Sequence, residues 1–574
     1  MDWQKPAYMG GILVLSLAIL FEWNQFKEAK ALATTNSDSS LVSTINGAGS
    51  NGAGSNGVNK VTVPLVPTIE ESDLPIVSNG SNLESNATEA INDNKVNQSD
   101  FVSIKTSTIE MVINRNGGDI VQAVLPRHKV KLNGEQGFTI LDETLATTYI
   151  AQSGLIGVNG TDTSDGRPLF KSAKTVYELK KGDGSLNVDL TLNQNGVNIT
   201  KRFTFFENKN VINVTYLIDN QSASNWQANF YGQIKRDSHK PIAAADSGVG
   251  VSPYVGAATT TNDDKYEKLT FSDLEEESQN FSIQGGWVAM VQHYFTSAWI
   301  PNKESTNKIF LRKLKNQDMY LLGFISPETL VQPGTQTEIS ARFYVGPKNI
   351  DDLELIAENL DLTIDFGFLW WIAKPIFHLL DYIHDHIGNW GWSIIVLTII
   401  IKAIFFYPSA LSYRSMAKMR KLSPKMKALK ERVGDDKQKM SQEMMKLYKK
   451  EKVNPMGGCL PILIQMPVFI SLYWVLMESV ELRHAPFAMW ITDLSVMDPY
   501  FIFPLVMGAT MFIQQQLNPT PPDPMQAKIM KWMPVAFTFM FLWFPVGLVI
   551  YWVTNNTLSI IQQYIITKRI EAAD

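Results

Sequence analysis

The residue best placed to do chemistry in this sequence is a lysine in an apolar setting. Lys402 stands in the middle of WGWSIIVLTIIIKAIFFYPSALSYRSMAKMR, residues 390–420, which is apolar up to its basic end. At about 1.5 Å per helical residue it lies roughly 18 Å from both Trp390 and Arg414, near the centre of a hydrocarbon core about 30 Å thick. A lysine at that depth costs about 2.5–3.5 kcal/mol on insertion scales, so it must face protein or a water-filled cavity. What it offers is a positive charge held where the membrane opposes one.

Other reactive groupings are missing from the sequence. There is no HExxH, GxSxG or P-loop: Gly52 and Gly57 have phosphate-loop spacing, but Val58 stands where that motif needs lysine. Cys459 is the single cysteine, which excludes an intrachain disulfide and a metal site built on thiolates. His378, His384 and His386 are spaced by six and two, so they do not share a helix face; polar-face histidines account for them better than a metal does. No cofactor is expected, and neither is an enzyme.

The elements that must position Lys402 follow from charge and hydropathy. Residues 413–455 hold 14 Lys/Arg against 5 Asp/Glu, a net of +9 in a chain whose formal charge is −5. Lys and Arg gather in short cytoplasmic loops, so this segment is expected inside. Apolar runs at 390–408, 459–480, 500–513, 529–544 and 546–566, with a first one at 6–21, predict six transmembrane helices with both termini cytoplasmic. Two runs are short, and Pro461, Pro467, Pro504 and Pro534 interrupt several. Residues 1–26 form a retained anchor in one reading; Ala31-Leu32-Ala33 leaves a cleaved signal peptide as the other.

Between these lie three further regions. Residues 27–100 are rich in Asn, Ser, Gly and Thr and predict a flexible low-complexity linker. Residues 101–350 alternate apolar and polar over short runs such as LNVDLTL (186–192) and VNITKRFTF (197–205), joined by Asn195-Gly196 as a hairpin turn requires. They predict a large antiparallel β-sandwich, exported from the cytoplasm, with a binding or spacing role. Residues 351–388 read as a connecting helix and an interfacial amphipathic helix: Leu369, Ile372, Ile376, Leu379 and Ile383 recur at helical spacing, opposite Lys374, His378, Asp381 and Asp385.

After the second span, at 389–412, residues 413–457 predict a basic helical hairpin. Ser423-Pro424 marks one helix start, Gly434 a helix end, and Asp435-Asp436 the next start. Its apolar positions include Met416, Met419, Met426, Met440 and Met444. These either pack on one another or form an adaptable surface for varied apolar partners. Residues 458–567 carry the remaining spans and 568–574 a cytoplasmic tail.

The run from SMAKMRKLSPKMKALKERVGDD through NPMGGCLPILIQMPVFISLYWVLMESVELRHAPFAMWITDLSVMDPY resembles the YidC/Oxa1/Alb3 family of membrane protein insertases, in the layout of its Gram-negative bacterial branch. The resemblance is strong over about 366–570. It implies a polytopic α-helical membrane protein of the inner membrane, with a five-helix core around a polar groove and a periplasmic β-supersandwich. It implies that hydrophobic segments of nascent membrane proteins pass into lipid without nucleotide hydrolysis. The implied partners are those clients, a Sec-type translocon, the ribosome and membrane lipids, with no nucleic-acid sequence recognition. In that family an arginine in the second span is the signature charge, and Lys402 falls at its place. The lysine keeps the charge and loses the planar fork. Around it we place Thr398, one turn earlier on the same face, then Gln465, Gln514, Trp552 and Asn555; ordinary interhelical hydrogen bonding is their alternative. A secondary transporter and a membrane-anchored periplasmic binding or sensor protein are the rival classes, and the chain shows no internal repeat of the kind many transporters carry.

Overall fold

The computed structural model describes residues 73–75, 100–239, 253–434, 436–451, 453, 460–518 and 524–572. The anchor expected at 1–26, and all of the expected linker except 73–75 and 100, lie outside them.

The alternating runs fold into two sheets of ten and nine strands, packed face to face between Phe101 and Pro347. Pairing is antiparallel throughout, except that Phe101–Lys105 runs parallel to Val176–Glu178. Ser185–Gln194 and Val197–Phe206 form the expected hairpin, closed by Asn195 and Gly196 at φ 52° and 80°. Two positive φ values in a two-residue loop match the strand twist, which is why Asn-Gly serves there. Along Val211–Asn220, Ile212, Val214, Tyr216 and Ile218 turn inward and meet Phe203, Phe230 and Phe343 from their neighbours. One inward position is filled by a charge. The Lys201 ammonium is fully buried and donates to the carbonyls of Gly117, Gly118 and Ser153 at 2.9, 2.9 and 2.7 Å. Burial brings its pKa down to about 7.

A short helix α1 (Phe271–Glu276) lies within the sandwich, and α2 (Ile350–Ile356), capped by Asn349, leaves it. The helical region follows as α3 (Trp370–Ile387), α4 (Trp390–Ile404), α5 (Phe406–Val433), α6 (Lys437–Lys450), α7 (Leu460–Glu478), α8 (Ile502–Leu517), α9 (Pro524–Phe541) and α10 (Val546–Ala572). Gly388, at φ 71°, ends α3 and donates to the His384 carbonyl. The packed face of α3 is Ala373, Phe377, Leu380 and Ile383, turned from the predicted stripe, because α4 and α7 cover it. Trp371 and Tyr382 stay exposed on the other side, and Trp370 is exposed at the helix start. Apolar residues thus occupy two sides of the helix, and the sequence period showed their mean direction.

Two helix boundaries differ from expectation. The helix expected as the second span is broken: α4 and α5 meet at Phe405 with a bend of 68°. Pro408 lies in the first turn of α5, where its missing N–H costs no helical bond. Conversely α5 runs straight through Pro424, where a new helix was expected. Pro424 is exposed, so solvent can take the carbonyl it leaves unpaired. The hairpin turn itself is as read: Gly434 has φ 68°, and the Asp436 carboxylate caps α6 by accepting from the Gln438 and Lys439 amides.

The sandwich seats on one end of α7. Lys348 pairs with Glu478 at 2.7 Å, both almost fully buried. His293 Nε2 donates to the Met477 carbonyl at 2.9 Å, and Asn349 donates to Glu481 at 3.0 Å. The Arg483 guanidinium lies over Phe138 and Phe295 and donates to the Val130 carbonyl. Removing one partner of a buried pair strands the other charge, so Lys348→Met is expected to cost about 3–5 kcal/mol, and Lys348→Met/Glu478→Leu to recover most of it; thermal melts of the purified full chain measure both. His293 adds a pH dependence. Burial, then Lys348, hold its pKa at about 3, so it is neutral when folded and takes up a proton on unfolding between about pH 3 and 6.5. The stability it contributes is present above pH 6.5 and lost as pH falls through that window. Glu481, raised to about 7 by burial, acts with the opposite sign. His293→Gln isolates the histidine: melts at pH 7 and 5 should show the parent losing more stability on acidification than the variant.

Candidate functional site

The helical region is built inside out. Leu505, Val506, Phe512, Ile513, Trp532, Val535, Phe539 and Ile561 are exposed on α8, α9 and α10, while hydroxyls, amides and the Lys402 ammonium are buried between helices. In water this arrangement is unfavourable on both counts; in lipid the outer face needs no cover and the inner polar groups need partners. Among the described residues no single helix is long and apolar enough to cross a membrane by itself, and the bent pair α4–α5 passes that test together.

The inner polar groups lie on a few faces. On α4, Ser393, Thr398 and Lys402 are buried. On α5, just past the bend, Ser409, Ser412 and Tyr413 are buried. On α10, Trp552, Asn556, Ser559 and Gln563 recur at spacings of four, three and four, which places them on one stripe. Ser559 faces α4 and Asn556 and Gln563 face α8, while Trp552, at the head of the stripe, turns toward α7 and α9.

Lys402 is 7% exposed, and its Nζ donates to Ser559 Oγ at 2.7 Å. Ser559 in turn donates to the Asn555 carbonyl at 2.8 Å. Thr398 is fully buried and donates back to the Ile394 carbonyl at 2.6 Å. Asn556 reaches Thr510 of α8 at 3.3 Å; Gln563 reaches the Leu517 carbonyl and Asn518 at 3.2 and 3.0 Å. Gln562 donates to the Phe406 carbonyl at 3.1 Å, tying α10 to the start of α5.

Of the six residues expected around a groove, Thr398 and Lys402 share a buried face, and Asn555 enters the network through its backbone. Trp552 sits among Phe469, Phe537 and Phe541, with its indole N–H buried and unbonded. Gln465 on α7 and Gln514 on α8 are half-buried and stand apart from the lysine's hydrogen bond. Ser559, Asn556, Gln562 and Gln563 were missed. The signal was present as the three-and-four spacing of polar residues from 552 to 563, which is the usual amphipathic pattern with inside and outside exchanged.

On the hairpin, Met416 is buried, while Met419, Met426, Met440 and Met444 are partly exposed. Met426 Sδ accepts from the Tyr448 hydroxyl across the hairpin at 3.3 Å. The helices enclose a groove lined by Lys425, Leu429, Arg432, Glu443, Leu447 and Lys450. Met426 thus packs across the hairpin, and Met419, Met426, Met440 and Met444 each keep part of their surface exposed. The three histidines do not come together. His384 stacks on Trp390 with ring centroids 4.0 Å apart, and His386 bonds to the Tyr382 carbonyl; His384 instead lies beside Asp381 and Asp385.

A bundle that is apolar outside and polar within, joined to an antiparallel sandwich, defines a membrane-embedded helical protein with a large extramembrane domain. Residues 382–573 match the family described as 60Kd inner membrane protein, and residues 101–379 match the YidC periplasmic domain. The chain is 53% identical over 576 residues to the membrane protein insertase YidC of Cellvibrio japonicus, and 51% identical over 575 residues to that of Saccharophagus degradans, with 100% of each chain covered. A solved active YidC insertase with its first transmembrane domain resolved aligns over 82% of this chain and 93% of its own, at 19% identity and a TM-score of 0.36. The chain belongs to the YidC family of membrane protein insertases.

The Lys402–Ser559 contact predicts its own energetics. Hydrogen bonds to charged groups contribute about 1.5–3 kcal/mol, so Ser559→Ala should lower stability by about that much. In a Lys402→Met background the same substitution should cost little. A double-mutant cycle of thermal melts in detergent reads the coupling.

Proposed function

We propose that this chain receives hydrophobic segments of nascent membrane proteins from the cytoplasmic side and passes them into the bilayer along a polar intramembrane groove centred on Lys402, with no nucleotide hydrolysis. The observation that carries this reading is the buried Lys402 ammonium, bonded to Ser559 and bordered by the α10 stripe, inside a bundle whose outer surface is apolar. A new span with a short polar flank must bring that flank through hydrocarbon, where each unsatisfied polar group costs several kcal/mol. Hydroxyls, amides and an ammonium part of the way across lower that barrier, and the apolar outer faces offer the span a way out into lipid. Thr398, Gln465, Gln514, Trp552 and Asn555 are the further groove residues of this proposal.

In this reading six helices cross the inner membrane, both termini and the basic hairpin are cytoplasmic, and the sandwich is periplasmic. The hairpin methionines receive the client, and the ribosome and a Sec-type translocon are the partners that deliver it. Lys402 acts as a point charge toward acidic client tails or as an organiser of water. Insertion of single-span clients with acidic tails, assayed with Lys402→Ala and Lys402→Glu, should fall severalfold, more for Glu, while Lys402→Arg stays near the parent. Crosslinkers at 398, 402, 465 and 552 should capture a stalled nascent chain that lipid-facing controls at 512 and 535 do not. Parental insertion by both the Ala and Glu variants defeats the charge-assisted mechanism.

A further inference from the structure

One tripeptide from the polar stretch before the sandwich is seated on the sandwich itself. Asp73, Leu74 and Pro75 lie on the outer face of the ten-stranded sheet, the face turned away from the inter-sheet core. In sequence they are 160 residues from Gln233 and 238 from Arg312, both of which they touch.

The receiving surface is laid out by register. On strand Trp226–Arg236, Tyr231, Gln233 and Lys235 point to one face; opposite them on Tyr320–Val331 stand Ile325, Gly323 and Leu321. On the next strand, Thr306–Lys313, Phe310 pairs with Gly323 and Arg312 with Leu321. Two cations thus flank Leu321 in one row. In the next row Gln233 and Phe310 flank Gly323, which has no side chain. A Cβ at Gly323 would come within 2.7 Å of both the Phe310 ring and Gln233 Cβ.

The tripeptide uses each feature. Lys235 pairs with the Asp73 carboxylate. Gln233 Nε2 donates to the Asp73 carbonyl at 3.1 Å, and Arg312 donates to the Leu74 carbonyl at 3.3 Å. Leu74 packs on an apolar cluster of Ile156, Tyr231, Phe310, Leu314, Leu321 and Ile325, separate from the sandwich core, and Pro75 is buried. One side chain reads a carboxylate, two read main-chain carbonyls, and an apolar pocket reads the residue between, which is how a site recognises an extended peptide. Apolar residues on an outward sheet face also need a cover, and Leu74 supplies part of it.

We infer that this face is a peptide-recognition site for an acidic residue followed by an aliphatic one and proline, and that the chain fills it in cis with Asp73-Leu74-Pro75. The segment is then a strap that pins the stretch before the sandwich at a fixed point, between the two cations.

A fluorescent peptide of residues 70–78, EESDLPIVS, tests this against the full-length chain in lipid nanodiscs by anisotropy. The cis copy competes at an effective concentration of order millimolar, so the parent should bind the peptide weakly, and Leu74→Asp, which empties the site, at least about tenfold more tightly. Adding Lys235→Asp to Leu74→Asp should abolish that binding, and a peptide with lysine in place of Asp73 should bind this double variant, which also shows that the sheet is intact. Equal binding to parent and Leu74→Asp, binding to neither, or failure of the charge-swapped peptide overturns the inference.

Discussion

An ammonium group taken out of water must be given oxygens, and among the described residues Lys201, Lys348 and Lys402 meet that constraint in the sandwich, at the junction and in the bundle. Lys201 in the sandwich core has three carbonyls. Lys348 at the junction has the Glu478 carboxylate and, at 3.4 Å, the Thr363 carbonyl. Lys402 in the bundle has the Ser559 hydroxyl. The acceptors come from other strands or helices, so the demand of each charge fixes an approach between elements distant in sequence. Burying an ion costs several kcal/mol even after relaxation, and only good geometry offsets it. The junction depends on this most directly: Lys348 and Glu478 are 130 residues apart, and their contact sets where the sandwich meets α7.

The same requirement shapes the ends and breaks of the helices. At the bend the Phe405 amide still bonds to the Ile401 carbonyl and the Phe405 carbonyl accepts from the Ser409 amide, and Gln562 adds a bond to the Phe406 carbonyl beside it. The start of α8 is served by the fully buried Asp498, which accepts from the Tyr500 and Phe503 amides and from the Trp490 indole. Asn389 caps α4 and also binds the Pro486 and Phe487 carbonyls, while the amides of Val546 and Gly547 bond to Val496 and Leu494. The segment from Val480 to Phe501 is thereby stitched across one end of the bundle, with Leu482, Ile491 and Leu494 buried beneath it. In lipid a loop is tolerated only where its backbone is satisfied by protein or water in this way.

What the sequence disclosed follows from which interactions are local. The Asn195-Gly196 turn, the alternation of the strands and the Asp436 cap each depend on residues within a few positions, and each is found where the sequence puts it. The bend at Phe405, beside which Gln562 bonds, and the turned face of α3 involve neighbours far along the chain, whereas α5 continues through Pro424 because that proline faces solvent. Lys402 was legible because a charge in an apolar run is conspicuous. Its acceptor was not, since a serine 157 residues later carries no such mark by itself. Asp73-Leu74-Pro75 was hidden for a related reason: composition averages over a window, and three residues in a polar stretch do not move the average.

The lysine itself can now be weighed against the arginine that the family resemblance puts at its position. A guanidinium presents five donors in a fixed plane and is suited to bidentate acceptors; an ammonium presents three around a point. The acceptor at Lys402 is a single hydroxyl whose own proton is committed to the Asn555 carbonyl, so Ser559 offers a lone pair and no fork. That geometry matches a point charge, and lysine is the cheaper way to supply one, since its compact head needs fewer fixed partners in the bundle. The rest of the α10 stripe fits the same economy. Asn556 and Gln563 spend their amides on α8, holding the wall together, and leave the charge to act alone. The mechanism proposed above asks of Lys402 only a field and hydration, and a single hydroxyl acceptor is compatible with that role.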